Sequence, residues 1–109
     1  MRTGLTSSRL SELKESLLNS YKSKFFLKGE TLFIEGTPVK GLIFIYAGKV
    51  KIYKKGPDGA EEILRIARKG DFLGYSKLVK DSRFGASAEV LEDTLIIFIP
   101  KKEFLDVLS

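Results

Sequence analysis

The residues best suited to chemistry lie in the stretch 70–90, where a glycine-rich turn is followed by a short helix-forming run. Gly70 and Asp71 are typical of a turn, because glycine adopts positive φ and aspartate hydrogen-bonds its own downstream backbone. Gly74 allows close approach of other backbone, and residues 75–79 are enough for about one helical turn. Since the first N–H groups of a helical turn lack internal partners, this stretch predicts a site for a small anion.

Small side chains support this interpretation, because residues 85–88 (Gly-Ala-Ser-Ala) leave space where a strand passes a ligand. In a sensing site, the backbone after Gly74 and the side chains of Ser76, Ser87 or Arg83 would grip the ligand. Tyr75 would stack on it or hydrogen-bond to it. The candidate ligand-binding residues are Gly74, Tyr75, Ser76, Arg83, Phe84 and Ser87.

Catalysis is not predicted. The chain has no cysteine and no histidine, so it lacks thiolate and imidazole ligands for metals and the commonest general base. Its acidic candidates are explained by turn chemistry or by a strand surface, and no nucleophile accompanies them. These carboxylates are Asp71, Glu89, Glu92 and Asp93. We therefore predict no catalytic residue, no metal site and no enzyme activity.

The length of the chain indicates one small domain. The 109 residues are 43% hydrophobic, which is enough for a single core, and no membrane span or secretion signal is predicted, so we expect a cytoplasmic protein. The net charge of +5 could favour an anionic polymer. However, the lysines are spread along the chain and alternate with apolar residues in the stretch 49–55, which favours the solvent face of a strand over a nucleic-acid interface.

The periodicity of apolar residues predicts the elements around the site. Leucines at helical spacing indicate an N-terminal helix at about residues 7–20, and a period of two indicates strands over about residues 21–99. Ala47-Gly48 is interpreted as a tight hairpin between neighbouring strands, and residues 56–59 (Gly-Pro-Asp-Gly) as a second turn whose flanking strands pair. Pro100 ends the last strand, and a C-terminal helix begins within residues 101–109.

The order of these motifs resembles a known family. The motifs are Lys28-Gly29-Glu30-x-Leu32-Phe33-x-Glu35-Gly36, Leu42-x-Phe44-Ile45-x-x-Gly48-Lys49-Val50-x-x-Tyr53, Gly70-Asp71-Phe72-Leu73-Gly74, Ala86-Ser87-Ala88 and Leu91-Glu92-Asp93-Thr94. Together they are similar to the cyclic-nucleotide-binding-like sensor domain of the catabolite-activator and fumarate-nitrate-regulator (Crp/Fnr) superfamily. The resemblance covers nearly all of residues 1–109. It implies a mainly β fold, a double-stranded antiparallel, jelly-roll-like β-roll with an N-terminal helix, a short helix in a phosphate-binding cassette and a C-terminal helix.

The cassette departs from the nucleotide-binding pattern at two positions. Nucleotide-binding relatives place a glutamate after the glycine at position 74 and an arginine just before the small-residue strand, whereas this chain has Tyr75 and Phe84 there, with Arg83 one place early. Loss of a charge-assisted arginine contact to phosphate costs about 1.5–3 kcal/mol. The resemblance therefore argues against cAMP as the ligand.

Two functions remain open at this point. In the first, the chain is the effector-sensing domain of a transcription regulator, and its ligand is a small anionic or polar molecule or a nucleotide. The resemblance then implies a homodimer in the complete protein and DNA contact only through a C-terminal helix-turn-helix absent from residues 1–109. In the second, Tyr75 and Phe84 fill the pocket, and the chain is a ligand-free structural or protein-interaction module.

Overall fold

A computed structural model of the chain describes residues 23–80 and 82–108, together with Glu12. The N-terminal helix predicted at about residues 7–20 lies outside the described residues except for Glu12. The described part contains eight strands and two helices. They are β1 Ser23–Phe26, β2 Thr31–Phe33, β3 Gly41–Ala47, β4 Lys49–Lys55, β5 Glu61–Arg68, β6 Phe72–Leu73, α1 Tyr75–Val79, β7 Ser87–Val90, β8 Thr94–Pro100 and α2 Lys101–Leu108.

The strands form two antiparallel four-stranded sheets. The first sheet has the order β1-β8-β3-β6 and the second has the order β2-β7-β4-β5. In both sheets the neighbours are mostly distant in sequence, as when β3 pairs with β8 from Gly41↔Pro100 to Ala47↔Leu95. The mainly β, antiparallel roll predicted from the sequence is therefore confirmed.

The space between the sheets holds one hydrophobic core, here called the inner core. The first sheet contributes Ile43, Ile45 and Ile96, and the second contributes Val50 and Val90 among others. These side chains alternate along each strand with residues that face away, as the two-residue repeat of a strand requires. The inner core therefore joins the two sheets face to face.

The other face of the first sheet carries a second cluster, here called the outer core. Leu42 and Ile99 from the sheet pack there with Leu78 of α1 and Phe104 of α2, and all four are fully buried. Burying a side chain of this kind contributes about 1.5–3 kcal/mol. The outer core thus fixes both helices on the sheet.

The prediction of a hairpin at Ala47-Gly48 was wrong. β3 and β4 follow one another through Gly48 but belong to different sheets, so the chain crosses from one sheet to the other at this point. Gly48 has φ 120°, and a Cβ there would lie 2.7 Å from the Cα of Thr94. The buried Thr94 hydroxyl donates to the carbonyl of Glu92 at 2.7 Å and accepts from the N–H of Lys49 at 3.2 Å. The close packing against Thr94 explains why the crossing needs glycine.

The turn predicted at residues 56–59 has the expected structure. The N–H of Gly56 donates to the carbonyl of Ala60 at 2.8 Å, and the N–H of Gly59 donates to the carbonyl of Gly56 at 2.9 Å. β4 and β5 pair on either side of it, from Lys55↔Glu61 to Lys49↔Arg68. The strand pairing inferred from the turn signal is confirmed.

Lys51 is less exposed than its predicted position on a solvent face suggests. Its side chain is only 13% exposed, and its Nζ lies 2.7 Å from Oε1 of Glu61 and 3.8 Å from Oε1 of Glu89. The ammonium also lies 4.9 Å from the centre of the Tyr53 ring. The hydrogen bond with Glu61 raises the pKa of Lys51 above its usual value, with a smaller opposing effect of burial. The Lys51 side chain on β4 therefore contacts the two neighbouring strands of the second sheet, β5 and β7.

Neither described helix is long and apolar enough to cross a membrane.

Replacing Gly48 by alanine tests the sheet crossing. The new Cβ must displace Thr94, and the alanine must adopt an unfavourable positive φ. The free energy of unfolding should therefore fall by about 2–5 kcal/mol. Gly59 also has positive φ (85°) but has open space around it. Gly59→Ala should therefore cost only about 1–2 kcal/mol. Urea unfolding followed by circular dichroism measures both, and equal losses would contradict the role of Thr94.

Replacing Lys51 by methionine tests the ion pairs of the second sheet. At pH 7 the change should lower the free energy of unfolding by up to about 1 kcal/mol. Because folding raises the pKa of Lys51, this contribution is present at neutral pH and is lost as pH rises above about 10.4, the ordinary lysine value. Urea midpoints of the wild type and Lys51→Met should therefore converge at alkaline pH.

Lys49→Met is the matched control, because Lys49 lies 3.9 Å from Glu92 and both side chains are exposed. It should change the urea midpoint little at any pH. A constant difference between wild type and Lys51→Met across the pH range would contradict the electrostatic explanation.

Candidate functional site

Gly74 is the N-cap of helix α1, and its φ is 89°. The carbonyl of Gly74 accepts the N–H of Leu78 at 2.8 Å, which closes the single turn, and Leu78 anchors the helix in the outer core. A Cβ on Gly74 would lie 3.3 Å from Cγ1 of Val39 and 3.6 Å from Cε1 of Phe84. Gly74 therefore has a positive φ and also lies close to Val39 and Phe84, as the sequence predicted for a glycine at this position.

A cleft of about 510 Å³ that is open to solvent lies beside this turn and is here called the cassette cavity. Four of the predicted site residues line it, and other strands supply the rest of its wall. Its described lining is Phe33, Ile52, Leu64, Arg65, Phe72, Leu73, Gly74, Tyr75, Ser76, Lys77, Phe84, Gly85 and Ala86. The cavity therefore brings the cassette turn together with β4, β5 and the small residues before β7.

Phe84 forms one wall of the cassette cavity. Its ring stacks on Phe33, with the ring centres 3.8 Å apart and the planes 8° from parallel. The half-buried ring packs against both the inner and the outer core. Phe84 therefore lines the cavity while also serving as a structural contact between the two cores.

Tyr75 connects the cassette cavity to the C-terminal helix. Its ring meets Phe104 of α2 edge-on, with centres 5.6 Å apart and planes at 88°. Such an edge-to-face pair is favourable by about 0.5–1.5 kcal/mol beyond simple burial. The side chain is half-buried, so it lines the cavity and contacts α2 at the same time.

Arg83 and Ser87 are not among the cavity residues. The guanidinium of Arg83 is exposed and donates to the carbonyl of Gly36 at 2.9 Å. The hydroxyl of Ser87 accepts the N–H of Glu35 at 2.9 Å. Both side chains therefore bond the loop after β2 instead of lining the cavity, and the chain bends at residues 85 and 86 between them.

Sequence reasoning missed the cavity residues that come from elsewhere in the chain. Phe33 and Ile52 reach the site from β2 and β4, and Leu64 and Arg65 reach it from β5. Only strand pairing across the second sheet brings these positions to the cassette. Lys77 could have been predicted, because its positive charge lies within the stretch 70–90 that was interpreted as an anion site.

A second cavity of about 1120 Å³ lies on the other side of the stacked ring pair. Phe33 and Phe84 line both cavities, so the pair forms a partition between them. Ile43 and Ile96 of the inner core also line the larger cavity. Among the residues described, no cluster of three acidic side chains could hold a metal ion at either cavity.

Comparison with known proteins decides the family. The sequence model of the cyclic nucleotide-binding domain matches residues 23–109. The chain belongs to this family. The cyclic nucleotide-binding domain is 37% identical over 100 residues to the anaerobic regulatory protein of Bacillus subtilis, a match over 91% of this chain and 41% of that relative. The predicted resemblance to catabolite-activator and fumarate-nitrate regulators is thus confirmed, and the chain spans about two-fifths of this relative's length.

Solved structures agree on the fold of this cyclic nucleotide-binding domain. The catabolite activator protein of Thermus thermophilus superposes with a TM-score of 0.78 at 22% identity, covering 97% of this chain and 48% of that one. The cAMP-bound form of an EAL enzyme superposes with a TM-score of 0.73 at 28% identity, covering 78% of this chain and 23% of that one. The same fold therefore occurs in a catabolite activator protein and in part of a larger EAL enzyme.

Replacing Phe84 by alanine tests the partition between the cavities. Loss of the half-buried ring should lower the free energy of unfolding by about 2–3 kcal/mol and join the two cavities. A fluorescent apolar dye should then bind more strongly to the folded variant than to the wild type. Arg83→Ala removes only one exposed hydrogen bond and should cost less than about 1 kcal/mol, with no change in dye binding. Equal stability of the two variants would contradict the structural role of Phe84.

Proposed function

We propose that the chain is the effector-sensing domain of a Crp/Fnr-type transcription regulator, and that its effector is a small anionic or polar molecule bound in the cassette cavity. The observation that carries the proposal is that Gly74, Tyr75, Ser76 and Phe84 line a cavity of about 510 Å³ instead of filling it. That volume is within the range of small-molecule sites. The family match supports the proposal, because the model that matches residues 23–109 is that of the cyclic nucleotide-binding domain.

The same lining argues against cAMP as the effector. One relative is named a cyclic AMP receptor protein, with 24% identity over 88 residues. In the present chain, Tyr75 and Phe84 replace the two nucleotide-binding side chains, and Arg83 bonds Gly36 outside the cavity. The described lining contains no carboxylate that could accept from a ribose hydroxyl. We propose an effector other than a cyclic nucleotide.

The contact between Tyr75 and Phe104 supplies a route from the cavity to α2. A ligand that shifts Tyr75 changes an edge-to-face contact with a fully buried ring of the C-terminal helix. An effector regulates only if it binds two conformations with different affinity. We propose that the two conformations differ in the position of α2 relative to α1. In a complete cytoplasmic regulator, this movement would reach a homodimer interface and a DNA-binding module.

The alternative function is a ligand-free structural or protein-interaction module. The observation in its favour is that the two rings at the predicted positions already have partners, since Phe84 stacks on Phe33 and Tyr75 contacts Phe104. Under this alternative the cavity is only a packing defect between the turn and the sheet. Binding measurements separate the two functions.

Isothermal titration calorimetry with cyclic nucleotides and a panel of small anionic metabolites tests the proposed function. We expect at least one non-nucleotide anion to bind with a micromolar Kd, and cAMP to bind at least about a hundredfold more weakly because the charged contacts to phosphate are missing. Ser76→Trp should abolish binding, since Ser76 is an exposed residue at the wall of the cavity.

Val79→Trp is the matched control for that variant. Val79 is 51% exposed on the same helix and is not among the residues that line the cassette cavity. It should leave binding unchanged. Failure of every compound to bind the wild type would favour the ligand-free module, and micromolar cAMP binding would show that the cavity is a nucleotide site.

A further inference from the structure

The cassette cavity combines an aromatic wall with charge of one sign. Four half-buried rings line it, from β2, β6, α1 and the segment before β7. The charged side chains among its described lining residues are both cations, one on β5 and one on α1. The rings are Phe33, Phe72, Tyr75 and Phe84, and the cations are Arg65 and Lys77.

The two cations lie where a ligand could meet them. Both side chains are exposed, and neither forms an ion pair with any described residue, in contrast to Lys49 and Lys51. The Nζ of Lys77 lies 3.8 Å from the position of a Cβ on Gly85, so the ammonium covers this part of the cavity wall. Since position 85 is glycine, no side chain separates Lys77 from the space inside. The cavity rim therefore carries positive charge without a described counter-ion.

The rings restrict what the cavity can accept. One face of Phe84 is occupied by Phe33, and Phe72 contacts Phe44 of the outer core. Both Phe84 and Phe72 nevertheless line the cavity. A flat ring gains offset-stacked or edge-to-face contacts against such a wall. A highly hydroxylated ligand such as a sugar would lose its water without finding enough partners, because the described lining offers few hydrogen-bonding side chains.

From these observations we propose that the effector is an aromatic carboxylate, a planar system of one or two rings with a single anionic group. This inference rests on the proposed function and narrows its ligand class. The rings lie against the wall formed by Phe84, Phe72 and Tyr75, and the carboxylate points to Lys77 and Arg65 at the rim. Lys77 follows Tyr75 by two residues on α1, so the anion also contacts the helix whose ring reaches α2.

Calorimetry with 2-naphthoate and three comparison compounds tests the proposal. Octanoate keeps the carboxylate without the ring, 2-naphthamide keeps the ring without the charge, and cAMP is the nucleotide control. We expect 2-naphthoate to bind at least about tenfold more tightly than each of them, and its Kd to rise with salt because the rim charges are exposed.

Variants then locate the site. Lys77→Met should weaken 2-naphthoate binding about fivefold or more, because a charge-assisted contact is lost. Lys80→Met is the matched control, since Lys80 is exposed directly after the same helix and is not among the cavity-lining residues. Ser76→Trp should abolish binding. Unchanged affinity in Lys77→Met, or 2-naphthamide or octanoate binding as tightly as 2-naphthoate, would overturn the proposal.

The outcomes distinguish this inference from the proposed function. If 2-naphthoate fails to bind but a non-aromatic anion binds and is blocked by Ser76→Trp, the sensing function stands and the aromatic ligand class is wrong. If no compound of either panel binds the wild type, both are wrong.

Discussion

Burial of the first sheet on both faces is the constraint on which the rest of the structure depends. Its inner face packs on the second sheet, and its outer face holds both helices through Leu78 and Phe104. A one-residue slip would move every side chain to the opposite face, where it meets a different partner, so packing on both faces determines the register of β3 and β8. The cassette turn inherits this rigidity, since α1 has one turn and too few internal hydrogen bonds to be stable alone.

Local signals in the sequence were enough for several turns and for the ends of some elements. The turn at residues 56–59, the glycine before α1 and the proline at the end of β8 each depend on the chemistry of a few neighbouring residues. Ala47-Gly48 shows the limit of such signals. A glycine with positive φ suits a hairpin or a crossing between sheets, and here the contact with Thr94, 46 residues later in the chain, decides between them.

The candidate site was predicted to a similar extent. Gly74, Tyr75, Ser76 and Phe84 lie on one continuous stretch, and they line the cavity beside the predicted turn. Arg83 and Ser87 lie on the same stretch but bond Gly36 and Glu35 of the loop after β2, partners that are about 50 residues away in the sequence and that no local signal indicates. Phe33 could not have been found, because it reaches the cavity through the pairing of β2 with β7, which is far away in the sequence. Arg65 lies on β5, which pairs with β4 across the predicted turn, but nothing local shows that this hairpin reaches the cassette.

The position of Phe84 between two cores has an evolutionary consequence. A substitution there changes the shape available to a ligand and removes apolar contacts from both cores in the same step. If the proposed ligand binds there, specificity and stability change together at this position, and a change of effector requires stabilising substitutions elsewhere. Neighbouring Ser76 and Lys77 are exposed and free of this coupling, so descendants can diversify there at little structural cost.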